Sequence, residues 1–419
     1  MFQKLIRVKD ALRIIKKEVG EASLGEEEVE VKEARGRVLS EDVRSNVNIP
    51  PFNRSAVDGY AVRSEDVFSA SEKSPEVLRV IGAAYAGVEF DGYVKPGEAV
   101  YITTGAKIPD GADSVVMVEY TKHLGEDKVI VYKGTRPYEN VSRVGEDVKE
   151  GDVIYRKGEI IRSFDLGVLA SIGVCKVKVR KRLKVSVITT GNELVEPCEG
   201  QIEGDKIFDT NRLILKNLLE EVGCEVLDIG IVPDDEGLLI KAIKKGLRLS
   251  NATLISGGNS LGKYDLTPRA IKNVGKPGVI FHGIAMQPGK PFLFASIGGK
   301  PIFGMPGFPV SNIIAFLELV RPSLFHMMGL RGEFVENEVE AVLTRRVPSK
   351  VGIASAVRVS IYKRDGIYYA DVIRRGGAGV LSSVGKADGY FIVPEDKEGY
   401  EAGEVVRVKL FSNFVKGVR

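Results

Sequence analysis

Residues 252–265 read Ala252-Thr253-Leu254-Ile255-Ser256-Gly257-Gly258-Asn259-Ser260-Leu261-Gly262-Lys263-Tyr264-Asp265, a short apolar run that breaks into a glycine-rich turn ahead of a helical pattern. The run reads as a strand, and a turn leading from a strand into a helix is the junction of an α/β unit. Gly257, Gly258 and Gly262 permit positive φ and let the backbone approach a ligand, while Ser256 and Ser260 add hydroxyls. Successive N–H groups in such a turn form an anion nest. An ordinary strand-to-helix turn has the same composition, so neighbouring segments must decide between the two readings.

Working outward, Lys184 to Thr189 is a buried-type strand, Arg212 to Leu219 a helix, Val226 to Val232 a strand and Leu238 to Leu247 a helix. The alternation predicts a parallel α/β sheet with right-handed crossovers, whose ligand lies beyond the carboxyl ends of the strands. Three segments follow strands directly: Thr190-Gly191-Asn192-Glu193, Pro233-Asp234-Asp235 and Ser256 to Asp265. They are expected to converge on one pocket. Asp209 and Thr267 each precede a helix and are expected to cap it. Gln287-Pro288-Gly289-Lys290-Pro291 turns into the apolar strand Phe292 to Ala295, which brings the Lys290 cation near the pocket; a solvated lysine is the alternative. Gly304 to Asn312, with Pro306, Pro309 and Ser311, opens a long apolar helix. Glu193, Asp234 and Asp265 beside a glycine nest suit divalent metal and phosphoester or oxyanion chemistry, because Mg²⁺ takes a few carboxylates and the ligand's own phosphates. Salt bridging is the alternative for each carboxylate alone.

At 419 residues the chain exceeds what one core serves, and length alone suggests roughly three domains. Residues 7–19 carry apolar positions at helical spacing and are expected to form a helix on the first domain. Pro50 to Val62 places Asp58 in an Asp-Gly bend, either a plain turn or a presented carboxylate. Residues 75–120 alternate β-rich runs with glycine turns, with Thr104 at a strand end as a cap or a functional hydroxyl. Turn-rich sequence around Asp147 returns to the first domain, which makes the β-rich module an insertion. Strand-like alternation from Val335 to Leu410 predicts a fourth, all-β domain. The expected division is 1–50 with 140–180, 51–139, 181–330 and 331–419.

A net charge of +3 from 60 basic and 57 acidic residues points to neither nucleic acid nor anionic membrane as partner. Three dispersed cysteines exclude a disulfide framework and fit a reducing cytoplasm. No signal-peptide core or membrane-length apolar run is present. Abundant Lys and Glu with no Trp point to a thermophilic source.

Five motifs occur in one order: Pro50-Pro51-Phe52-Asn53-Arg54-Ser55-Ala56-Val57-Asp58-Gly59-Tyr60-Ala61, Thr104-Gly105-Ala106 with Pro109-Asp110-Gly111-Ala112-Asp113, Thr190-Gly191-Asn192-Glu193-Leu194, Ser256 through Asp265, and Gln287 to Pro291. Together they resemble the MoeA family of molybdopterin molybdenumtransferases, related to the gephyrin E domain, over essentially the whole chain. The resemblance implies a three-layer molybdopterin-binding-like α/β domain, an inserted β-rich domain, an elongated linker and a C-terminal β-barrel-like domain, in an archaeal or thermophilic homodimer. It implies insertion of molybdate or tungstate into adenylylated molybdopterin with release of AMP, assisted by Mg²⁺ or another divalent cation. It further implies an active site between subunits: Asp58, Thr104 and Asp147 from one chain; Glu193, Asp234 and Asp265, as catalytic and metal-binding carboxylates, from the other. Asp209, Gly257, Gly258, Ser260, Gly262, Gln287, Lys290, Pro306, Pro309, Ser311 and Arg358 are the implied ligand-binding residues, a surface position being the alternative for Arg358. A molybdopterin adenylyltransferase is an implied partner.

The chain departs from the family pattern at Gln287 and Gly283, where lysines are frequent, and at Asn259, Phe308 and Gly377-Ala378-Gly379. These departures bear on oxyanion affinity and on molybdate against tungstate, not on the fold. Two competing functions are weighed: adenylylation of molybdopterin by the α/β domain itself, and a binding scaffold that keeps the fold without the chemistry.

Overall fold

The computed structural model describes residues 5–197, 202, 204–258, 265–332, 334–373, 377–413 and 415. Its central sheet orders Glu225–Val232, Lys184–Thr190, Ala252–Ser256, Lys300–Met305, Leu293–Ile297 and Pro277–His282. Neighbours among the first four strands are parallel, as expected. The last two are antiparallel, an edge that the predicted parallel sheet did not include. Its cause is local: Gly298 and Gly299, both at positive φ, reverse the chain in two residues, too few for a crossover.

Successive side chains of a strand point to opposite faces, and here the two faces feed separate cores. Val185, Val187, Leu254 and Phe303 pack with the helix Thr210–Glu221 and with the run that begins at Pro309–Ala315. Ile188, Ile255 and Ile302 pack with the helices Glu236–Leu249 and Leu266–Val274. Three layers result. A fully buried aliphatic or aromatic side chain contributes about 1.5–3 kcal/mol, so the two cores fix the strand ends, and the loops that leave them, as a rigid frame.

The helix Val8–Val19 forms where the apolar spacing places it, but it does not pack on the first domain as expected. Ala11 and Ile15 are completely buried in the α/β core beside Phe303 and Met327. The chain then leaves for a linker in which Glu26–Glu30 pairs with Lys176–Arg180 and Val43–Arg44 with Val153–Tyr155. Between these strands lies a six-stranded sheet in the order Ser114–Met117, Gly59–Val62, Glu98–Ile102, Glu76–Ala84, Lys128–Val131 and Thr121–Leu124, with an apolar cluster on each side. At the C-terminal end, Ala354–Arg364, Ile367–Val372, Glu338–Leu343, Val405–Leu410 and Gly389–Val393 close into a five-stranded barrel through the pairing of the first with the last. Met286–Gln287 joins this barrel beside Ala354 and Ser355, tying it to the α/β sheet. Among the described residues no helix is long and apolar enough to cross a membrane.

Candidate functional site

The carboxyl ends of Lys184–Thr190, Glu225–Val232 and Ala252–Ser256 open into a cavity of about 940 Å³. Glu193, Asp234, Asp265, Gly257 and Gly258 all line it, so the three expected loops do converge. Asp234 is fixed from two directions. Its carboxylate accepts the Thr190 hydroxyl at 2.9 Å and the Asn192 N–H at 3.2 Å, while its own N–H donates to Asn192 Oδ1 at 3.1 Å. The Glu193 side chain folds back over Gly191, where a Cβ would lie 2.7 Å from the carboxylate.

The glycine turn has the predicted left-handed backbone, with φ of +97° at Gly257 and +61° at Gly258. A Cβ on Gly257 would stand 2.1 Å from the Thr190 carbonyl oxygen, so close approach as well as φ demands glycine there. Two expectations need correction. Thr267 is not the cap: it lies in the first turn of Leu266–Val274, where its hydroxyl donates to the Gly257 carbonyl at 3.1 Å. Asp265 holds the N-cap position, yet its side chain makes no capping hydrogen bond. Nor does Ser256 offer a hydroxyl to a ligand, for it is 2% exposed and accepts N–H bonds from Asn211 at 2.9 Å and Asn312 at 3.0 Å. Asn211 also donates to Gly307 O at 2.7 Å and Asn312 to Pro306 O at 3.1 Å, so these amides lock the 306–308 turn onto the end of the central strand. Ser260, Gly262 and Asn259 lie outside the described residues.

Asp209 lines the cavity and caps Thr210–Glu221 as expected. Its oxygens accept the Arg212 N–H at 3.1 Å and the Thr189 hydroxyl at 2.6 Å, both within the fold. Pro309 is on the cavity wall, whereas Pro306 and Ser311 are buried behind it. Gln287 and Lys290 are exposed and do not line the cavity; Pro291 does. Arg358 is not a surface residue: it is 5% exposed, on the strand face opposite the barrel-core residues Val357 and Val359, and burial lowers its pKa. Asp58, Thr104 and Asp147 are absent from the wall of this cavity. Asp58 accepts the Thr104 N–H at 2.6 Å and the Thr104 hydroxyl at 2.8 Å, so Thr104 serves the carboxylate and caps no helix. Those bonds, the backbone one larger, hold the Asp58 carboxyl below its ordinary pKa.

Residues 6–173 match the MoeA N-terminal region (domain I and II), residues 186–326 the "Probable molybdopterin binding domain", and residues 340–411 the MoeA C-terminal region (domain IV). The chain is 34% identical over 391 residues to a molybdopterin molybdenumtransferase of Haemophilus influenzae, covering 93% of this chain and 95% of that one. It therefore belongs to the molybdopterin molybdenumtransferase family. A second such transferase, from Staphylococcus aureus, is 32% identical over 97% of this chain and 95% of its own length. Among solved structures, the molybdopterin biosynthesis moeA protein of Pyrococcus horikoshii superposes with a TM-score of 0.84 at 37% identity, covering 97% of this chain and all of that one. The multidomain α/β plus β fold, the transferase class and a place in molybdenum cofactor biosynthesis follow from that membership.

For a member of this transferase family the charge of the cavity is informative. Four carboxylates, from Glu193, Asp209, Asp234 and Asp265, line it, and among the described residues no lysine or arginine does. An all-oxygen donor set fits a hard divalent cation. Among the described residues, however, no three His, Cys, Asp or Glu side chains are grouped closely enough to hold one. Glu193, Asp234 and Asp265 therefore share a wall without forming a closed cage, the arrangement suited to an ion bound through one or two carboxylates and its ligand's phosphates. Sequence reasoning missed Asn211, although it stands two residues after Asp209 at a helix start. It also missed Leu381, which reaches the cavity from the barrel and carries no local signal; Gly379, singled out as a departure from the family pattern, lines the cavity beside it.

Proposed function

We propose that this transferase inserts molybdate or tungstate into adenylylated molybdopterin and releases AMP, in the strand-end cavity of one subunit closed by a second copy of the chain. The observation that carries the reading is the acid-lined cavity with a glycine turn at its edge. A phosphate ligand there requires a countercharge, and one or two of Glu193, Asp234 and Asp265, together with the ligand's own phosphates, would hold the Mg²⁺ or other divalent ion that supplies it. When bound, that ion draws electron density from the phosphoanhydride. The N–H groups of Gly257 and Gly258, with Ser260 and Gly262, hold phosphate or pterin, and Asp234 is kept in place by Thr190 and Asn192. Water cleaves the phosphoanhydride into AMP and the pterin's own terminal phosphate, and the two dithiolene thiols form metal–sulfur bonds as one oxo ligand of the oxyanion leaves with their two protons as water, the metal keeping its oxidation state.

Asp58, Thr104 and Asp147, which do not line this cavity, belong to the same proposal as contributions of the second copy, a reading supported by the family motifs that carry them. Pro309, on the wall, completes the proposed binding set; Asp209, Pro306, Ser311 and Arg358, which are buried, would act by supporting that wall, and Gln287 and Lys290 from outside it, beside Pro291. The division into 1–50 with 140–180, 51–139, 181–330 and 331–419 is supported by strand pairing, which among the described residues crosses those limits where Arg54–Ser55 meets Val141–Ser142, where Met286–Gln287 meets the barrel and at the Ile6–Ile284 bridge; the helix Val8–Val19, packed in the α/β core, goes with 181–330. A cytoplasmic homodimer supplied by a molybdopterin adenylyltransferase fits this chemistry.

Purified protein given adenylylated molybdopterin is expected to release AMP only when molybdate or tungstate is added. Transfer of AMP from ATP to molybdopterin by this chain alone would instead establish the adenylyltransferase reading. Asp265→Ala should keep its circular dichroism and its sedimentation as a dimer and lose metal-oxyanion-dependent AMP release; unchanged turnover rules out a catalytic role for Asp265.

A further inference from the structure

Phe308 lines the cavity with 64% of its surface exposed. It occupies the N-cap of Pro309–Ala315, with φ −75° and ψ 131°, where Ser, Thr, Asp and Asn are favoured because their side chains accept a backbone N–H. Phenylalanine makes no such bond, so the position gives up a cap and leaves a large ring in water. Local rules broken in this way concentrate at functional sites.

The backbone that carries the ring is nonetheless held. Asn211 Nδ2 donates to Gly307 O at 2.7 Å, immediately before it, and the Asn312 N–H donates to Phe308 O at 2.9 Å. The Val310 N–H donates to Ala378 O at 3.1 Å, which fastens the barrel segment alongside. In that segment Gly379 leaves room for the ring: a Cβ there would lie 3.2 Å and 3.4 Å from two ring carbons. An aromatic ring with two side-chain torsions on a fixed backbone at the edge of a ligand cavity loses little conformational freedom on binding.

We propose that Phe308 is a stacking platform for a planar heteroaromatic ring, pterin or adenine, of the ligand that fills the cavity. The proposal rests on the reading of this cavity as the site for adenylylated molybdopterin. Ring stacking on an aromatic side chain has a sequence-tolerant worth of about 1–3 kcal/mol per base, which corresponds to roughly 5-fold to 150-fold in affinity. It makes Phe308 a specificity determinant for the flat end of the ligand, separate from the carboxylates and the glycine turn that face its phosphates.

The test is calorimetric titration of the full chain, in the presence of magnesium, with two probes, AMP and 6-hydroxymethylpterin. Phe308→Ala is expected to weaken at least one probe about tenfold, and Phe308→Trp to retain it. Loss confined to AMP assigns the adenine, and loss confined to the pterin assigns the pterin. Phe308→Asn, which restores a capping residue, should raise the thermal midpoint while weakening the same probe, a split that a purely structural role does not produce. Unchanged affinities in Phe308→Ala and Phe308→Asn overturn the stacking role and leave the proposed reaction standing. Weakening that occurs only in variants with a lowered thermal midpoint overturns it as well. Failure of the unmodified protein to bind either probe overturns both the reading of the cavity and the inference built on it.

Discussion

Two hydrogen bonds from Thr104 to Asp58 keep that carboxylate below its ordinary value of 3.8, the backbone N–H being the larger cause and the hydroxyl the smaller. A depressed folded-state pKa adds stability above the unfolded value and loses it as pH falls through the folded value. The relevant window therefore lies below pH 3.8, and the Asp58–Thr104 contact is intact at neutral pH. Thr104→Ala should move the Asp58 midpoint, followed by carboxyl NMR, part of the way back toward 3.8, since the backbone bond remains. A midpoint unmoved by the substitution contradicts the assignment. Single residues were legible unevenly. Glu193, Asp234 and Asp265 were readable because each follows a strand or a strand-end turn, and a sheet sends such positions to one edge. Ser256 and Thr267 were misread because what occupies their hydroxyls comes from elsewhere: Asn211 and Asn312 for the first, the Gly257 carbonyl for the second.

Among the elements, the Ser256-Gly257-Gly258 turn is tightly constrained by its surroundings. Gly257 combines φ of +97° with a Thr190 carbonyl where its Cβ would go, so Gly257→Ala should destabilise the protein by more than about 1 kcal/mol. Its thermal midpoint is expected to fall and its affinity for AMP with it; an unchanged midpoint removes the close-approach account. The buried strands and amphipathic helices around this turn were legible, because runs such as Val185 to Ile188 have no polar interruption beyond Ser186 and because Leu215 and Leu219 recur at helical spacing. The antiparallel edge was not, since a Gly298-Gly299 reversal shows as a turn without showing which neighbour its strands choose. The packing of Val8–Val19 was equally hidden. Periodicity marks Ala11 and Ile15 as an inward face, but only the assembled core shows that the face meets Phe303 and Met327.

The whole molecule places its acidic cavity in the α/β layer, with the barrel supplying Gly379 and Leu381 to its wall and the inserted sheet holding Asp58 and Thr104 off that wall. Four carboxylates line the cavity, and among the described lining residues there is no lysine or arginine. A divalent ion and a second copy of the chain complete it in the proposed account. Domain order was legible from changes of pattern along the chain, whereas the proposed sharing of one site by two chains has no signature in composition or periodicity and entered through the family motifs alone. The most direct measurement is subunit complementation. Asp58→Ala and Asp265→Ala are each expected to abolish molybdate-dependent AMP release as homodimers. Random mixing should then restore about one quarter of the unmodified activity, since about half the dimers are mixed and each has one intact site of two. Recovery to that level supports a site built from two subunits; mixed dimers with no activity above either parent contradict it.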